Sequence, residues 1–171
     1  HAIGLAYRSI LHGDCDVALA GGAEACITNG TLVGWNALRI LSRDTCRPFS
    51  RNRSGLVIGE GSAILVLEEW ERAVARGARI YAELVGFGAN ADAGDLTSPD
   101  QHGAEMAMRR AMASAGIAPE DVDYVNAHGT GTLMNDAIES RAIRAVFPAA
   151  SLPLVSSTKG GTGKTTIAVN L

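Results

Sequence analysis

The residues best equipped for chemistry lie close together in Val122-Asp-Tyr-Val-Asn-Ala-His-Gly-Thr-Gly-Thr132, with Asn135, Asp136 and Glu139 just beyond. An imidazole at His128 can donate or accept a proton near neutral pH. Thr130 and Thr132 add neutral hydroxyls, and Asp136 and Glu139 add two carboxylates, all within twelve residues. This is more polar equipment than a turn needs. The order of the residues also predicts how they are held. A short apolar run suited to a strand breaks at Gly129 and Gly131, where no Cβ limits the backbone. Ala137, Ile138, Ala142, Ile143 and Val146 then recur at helical spacing. The stretch is therefore expected as strand, loop and helix, with His128 at the strand's carboxyl end, where open α/β folds place ligands. Asp136 and Glu139 would lie one turn apart on the helix.

The elements around this unit follow from their spacing. Residues 2–12 carry an apolar helical stripe closed by Gly13. Asp16 to Gly22 reads as a buried parallel strand ending in a glycine turn. Residues 23–53 are long, glycine-dotted and irregular, with a short helix near Leu32–Leu38; a loop of this length in a compact domain usually has a task. Ser62 to Glu69 is a second strand, 70–76 a charged surface helix ending at Gly77, and Ile80 to Gly88 a third strand. Residues 103–115 form a helix capped by Gly116, and Leu152 to Ser157 a last strand. Strands alternating with helices predict an α/β fold with mixed or parallel-rich sheets and layered helices.

Bulk properties narrow the function. Among 171 residues, 47% are hydrophobic and 19% charged, and the net charge is −3. Such a chain offers no basic field for nucleic acid or a membrane surface. No apolar run approaches the length of a membrane span. Three cysteines, at 15, 26 and 46, match no zinc or CxxC spacing, which favours a reducing cytoplasm and no metal.

Asn-Ala-His-Gly-Thr-Gly-Thr followed by Asn-Asp-x-x-Glu resembles the β-ketoacyl-acyl carrier protein synthases, condensing enzymes of the thiolase-like fold. Ala20-Gly-Gly-Ala-Glu24, Arg47-Pro-Phe49, Gly59-Glu-Gly61, Ala82-Glu-Leu-Val-Gly-Phe-Gly88 and Thr97-Ser-Pro99 match the same family in order. The resemblance implies a partial thiolase-like fold, with residues 1–78 ending its N-terminal half and 79–171 beginning its C-terminal half, truncated and divergent over 160–171. It implies decarboxylative Claisen condensation of an acyl-enzyme thioester with malonyl-carrier protein, no cofactor, acyl- and malonyl-loaded acyl carrier protein as partners, and a homodimeric parent. His128 would hydrogen-bond the malonyl thioester oxygen. Thr130, Thr132, Thr97 and Ser98 would lie along the phosphopantetheine arm. Lys159 would be the active-site lysine, held by Asp136 and Glu139, which also suit a helix N-terminus on their own account.

Two departures accompany the resemblance. The family's nucleophilic cysteine would precede the segment equivalent to His1, so the isolated chain is expected to be inactive, and Cys15, Cys26 and Cys46 read as bystanders. A lysine, Lys164, stands where the family's second histidine is expected. Lys159-Gly-Gly-Thr-Gly-Lys-Thr-Thr166 also resembles the variant phosphate loop of partitioning ATPases, which would place ATP phosphates on Gly160, Gly161, Gly163, Lys164 and Thr165. A non-catalytic thiolase-like dimerisation module is the remaining alternative.

Overall fold

A computed structural model describes residues 1–95 and 98–158. Lys159, the expected phosphate-loop residues Gly160, Gly161, Gly163, Lys164 and Thr165, and Thr97 lie outside the described residues. Helix α1 covers Ala2–Leu11. It ends where Gly13, at φ 78°, lets the chain turn back so that the Asp14 N–H reaches Ser9 O at 2.9 Å.

Strand β1, Val17–Glu24, pairs antiparallel with β2, Gly61–Glu68, from Val17 opposite Glu68 to Glu24 opposite Gly61. The parallel strand and glycine turn expected at 16–22 are thus corrected: Gly21 and Gly22 lie inside the ladder. A Cβ on Gly21 would sit 2.0 Å from Ala63 O, so the glycine serves strand approach. Helix α1 packs on β1, and Ala20 is buried. On the face carrying alternate residues, Leu19, Ile64 and Val66 remain more than half exposed.

The long connection from β1 to β2 contains α2, Asn29–Ala37, whose start is capped by the Thr28 hydroxyl accepting the Thr31 N–H. After β2, α3 (Trp70–Ala75) is short and capped by Glu69. Residues 80–88, expected as a strand, form no ladder among the described residues. Their polar groups are met instead by helix side chains: Tyr7 donates to Val85 O, and the Phe87 N–H donates to Ser114 Oγ. Gly86 and Gly88 explain the close approach, since a Cβ on either would press into the backbone of residues 107–115.

That backbone is α4, Gln101–Ala115, capped by Asp100 and ended by Gly116 in the left-handed region. Strand β3 (Tyr124–Asn126) then leads through the loop 127–132 into α5, Leu133–Val146, and β4 (Leu154–Ser156) returns parallel to β3. Helices α4 and α5 pack together. Met112, Val122, Ala127, Ile143, Val146 and Phe147 form the buried cluster beneath the loop. The fold is α/β as expected. Among the described residues it contains one antiparallel and one parallel pair, in line with the mixed sheets expected. A buried apolar run suits either neighbour, and the spacing of residues within it carries no strand direction.

Candidate active site

The strand, loop and helix around His128 form as expected, and the loop's shape depends on side chains that reach back to it. Thr132 caps α5 by accepting the Asn135 N–H at 3.3 Å, which sets the start of the helix. The next turn then aims two carboxylates backwards. Glu139 accepts the His128 N–H through Oε1 at 2.6 Å and the Gly129 N–H through Oε2 at 2.8 Å. Asp136 accepts the Gly131 N–H at 3.2 Å and, from a distant loop, the Phe49 N–H at 2.8 Å. Asn135 Nδ2 stands between the two acids, 3.3 Å from each. Its donor separates charges that would otherwise repel.

Asp136 is 1% exposed. Desolvating a carboxylate is costly unless it is paired and hydrogen-bonded. The two N–H donors and Arg53, whose Nε lies 3.7 Å away, supply that compensation. Arg53 also donates to Thr132 O and Leu133 O, tying the 46–55 loop to the start of α5. Cys46 Sγ donates to Thr130 O at 3.2 Å. Burial pushes the Cys46 thiol up from its ordinary value, and the Asp136 charge adds to this, so the sulfur stays protonated and acts as a donor.

Both loop glycines are required by geometry. Gly129 has φ 43° and Gly131 φ 76°. A Cβ at 129 would lie 2.4 Å from Ser157 Cβ, and one at 131 would lie 2.7 Å from Gly55 O and 2.8 Å from Cys46 Sγ. The hydroxyls of Thr130 and Thr132 are 2.9 Å apart.

His128 lines a cleft of about 270 Å³ with Asn135, Ile138 and Glu139 of α5, Gly103 and Ala104 of α4, and Asn90, Asp92 and Pro99. Thr130, Thr132 and Asp136 are not among its lining residues; the backbone carbonyls of the two threonines and the Asp136 carboxylate accept from Cys46, Arg53 and Phe49 of the 46–55 loop. Ser98 is exposed at the cleft's margin, its N–H taken by Asp95 at 2.8 Å. The site thus has His128 and Glu139 on one wall and Asp92 on the other, with the buried Asp136 bracing the loop.

Sequence reasoning named the five loop and helix residues, and matched Arg47-Pro-Phe49 without giving it a task. Phe49 sits at φ 59°, which is costly for a non-glycine residue, and it hands its N–H to Asp136. Arg53, Cys46 and Ser157 were also missed as parts of the site. A basic residue just beyond Arg47-Pro-Phe49 and a hydroxyl just before Lys159 were the available signals.

Comparison with known proteins accounts for this arrangement. The family model described as "Beta-ketoacyl synthase, N-terminal domain" matches residues 1–73, and "Beta-ketoacyl synthase, C-terminal domain" matches 81–171. The second match runs through Gly160–Thr165 to the last residue, so the tail lies within the ketosynthase match and the phosphate-loop reading is left without support. Nodulation protein E of Rhizobium leguminosarum bv. trifolii is 51% identical over 160 residues, covering 93% of this chain and 40% of that protein. 3-oxoacyl-[acyl-carrier-protein] synthase 2 of Staphylococcus aureus is 47% identical, covering 95% and 42%. Among solved structures, the ishigamide ketosynthase/chain length factor superposes with a TM-score of 0.89 at 41% identity, over 93% of this chain and 39% of that one. The type II ketosynthase of AntDE:AntF, solved in complex with its acyl-carrier protein, gives 0.86 at 37%, over 92% and 41%. The chain spans about 40% of the length of these relatives. With both halves matched and the fold shared, the chain belongs to the β-ketoacyl synthase family, with its thiolase-like α/β architecture.

Proposed function

We propose that the chain forms part of a β-ketoacyl-acyl carrier protein synthase, contributing the malonyl-activating side of a decarboxylative Claisen condensation. In that reaction a cysteine thiolate attacks the acyl thioester and releases the carrier's thiol. Malonyl-carrier protein loses CO2, and the resulting carbanion, delocalised onto the thioester oxygen, attacks the acyl-enzyme carbonyl. A carbon–carbon bond forms and the cysteine thiolate leaves. His128 is the donor to the oxygen that becomes negative, a task worth about 3–4 kcal/mol for one preorganised donor.

One observation carries this reading: the His128–Gly129 backbone is held by a single carboxylate while His128 lines a cleft at a strand exit. Preorganisation of this kind lets a donor act without rearranging during the reaction. Thr130, Thr132, Thr97 and Ser98 serve the phosphopantetheine arm, and Lys159 completes the site with Asp136 and Glu139. In this reading none of the three cysteines is the nucleophile, which is supported for two of them by the Cys46 bond to Thr130 O and the Cys26 Sγ contact with Gly59 O at 3.7 Å. Residues 1–78 and 79–171 are the two half-folds of this piece, in keeping with the two family matches. The partners are acyl- and malonyl-loaded carrier proteins, supported by the carrier complex of a related ketosynthase, and the parent enzyme in this reading is a homodimer. Cytoplasmic placement rests on the three free thiols; no helix among the described residues is long and apolar enough to cross a membrane.

Incubating the chain with acyl- and malonyl-carrier protein should give no ketoacyl product, while a malonyl-pantetheine amide should shift the NMR signals of His128, Thr130 and Thr132 saturably. Product formed by these 171 residues alone would overturn the exclusion of the three cysteines. No shift at millimolar analogue would overturn the site.

A further inference from the structure

Ser157 lies just past β4, under the histidine loop. Its Oγ is 3.0 Å from His128 O and 3.0 Å from Gly129 O. One hydroxyl proton shared between two carbonyls is a three-centre hydrogen bond. On the other side of the same two residues, the Glu139 carboxylate takes both N–H groups. All four backbone polar groups of the His128–Gly129 pair are therefore gripped by two side chains, one from α5 and one from the end of β4.

The glycine makes this possible. A Cβ at 129 would lie 2.4 Å from Ser157 Cβ and 2.7 Å from its Oγ, so any other residue there would expel the hydroxyl. The neighbouring serine does something different: Ser156 Oγ is bonded to the Tyr124 hydroxyl, across the β3–β4 pair. Rotation of a peptide plane turns the side chain attached beside it. Holding both planes fixes the direction from which the imidazole leaves the backbone.

We propose that Ser157 is a positioning residue for His128, the second jaw of a clamp whose first jaw is Glu139. Its importance for catalysis rests on the oxyanion role proposed for His128, but the clamp itself is a property of the unliganded chain. The test therefore uses no substrate, so it can fail or succeed independently of that reading. The His128 ring of the 171-residue chain is titrated by NMR in wild type, Ser157→Ala, Ser157→Thr and Ser156→Ala. Removing the hydroxyl frees the two carbonyl dipoles of the backbone that carries the ring. Ser157→Ala is expected to displace the ring's midpoint by about half a pH unit, roughly a threefold change in its proton affinity. Ser157→Thr, which keeps the hydroxyl, and Ser156→Ala should both titrate as wild type. The proposal is overturned if Ser157→Ala titrates as wild type, if Ser157→Thr behaves like Ser157→Ala, or if Ser156→Ala displaces the midpoint equally. A Ser157→Ala chain that fails to fold would assign the hydroxyl to the fold as a whole and overturn the positioning role.

Discussion

Replacing Glu139 with glutamine tests whether one carboxylate holds the histidine loop. The change preserves size and helix position but exchanges one acceptor oxygen for an NH2 donor. In the structure Oε1 and Oε2 each take one N–H, at 2.6 and 2.8 Å. Glutamine can keep only one of those bonds and must turn its own N–H2 towards the other donor. Hydrogen bonds to a charged acceptor are worth about 1.5–3 kcal/mol. Losing one should ease local opening of the loop by that amount, and each 1.36 kcal/mol is tenfold. Amide hydrogen exchange at His128 and Gly129 should therefore accelerate by roughly 10- to 150-fold, while Ile143 and Val146 at the far end of α5 keep their protection. Glu139→Ala should do at least as much. If both amides exchange within about a factor of two of wild type in Glu139→Gln, the carboxylate does not fix this loop. His128 is then not preorganised by this contact.

The crowding at Gly131 predicts that Gly131→Ala, with its φ of 76° and a Cβ pressed against Gly55 O and Cys46 Sγ, costs about 1–3 kcal/mol in a denaturant titration; a neutral substitution would contradict the packing. Cys46 should alkylate slowly, with a pH midpoint above that of an ordinary thiol, because burial and Asp136 both disfavour its thiolate; a midpoint below that of a free cysteine would contradict its role as a donor to Thr130 O. Asp44 is held well below the usual carboxylate range, first by its bond to Arg47. Its contribution to the 42–47 turn is therefore present above an unfolded-state pKa near 4 and is lost only as pH falls through the depressed folded value. Its carboxyl NMR signal should still report the charged form at pH 3; protonation in the ordinary range would refute the pairing.

Much of the site was legible because its determinants are local. Gly129 and Gly131 announced a break that their positive φ values bear out, and the period of Ala142, Ile143 and Val146 located the helix that carries Asp136 and Glu139. Gly13 and Gly116 likewise ended their helices where the sequence suggested. What stayed hidden depends on partners far along the chain. Residues 80–88 have the composition of a strand, yet Gly86 and Gly88 let them lie against α4, and composition cannot say which neighbour wins. The direction of β1 depends on β2, across a long connection. Phe49 meets Asp136 from 87 positions away, so no local pattern marks its N–H as part of the site.

The central claim is that the imidazole of His128 faces the thioester oxygen of a malonyl unit. Isothermal titration of the wild-type chain, His128→Ala and the exposed His12→Ala with malonyl-pantetheine amide tests it most directly. A neutral hydrogen bond contributes about 0.5–1.5 kcal/mol, so His128→Ala should bind roughly three- to tenfold more weakly, and His12→Ala should match wild type. Equal affinity for His128→Ala and wild type would place the malonyl oxygen elsewhere and contradict the account.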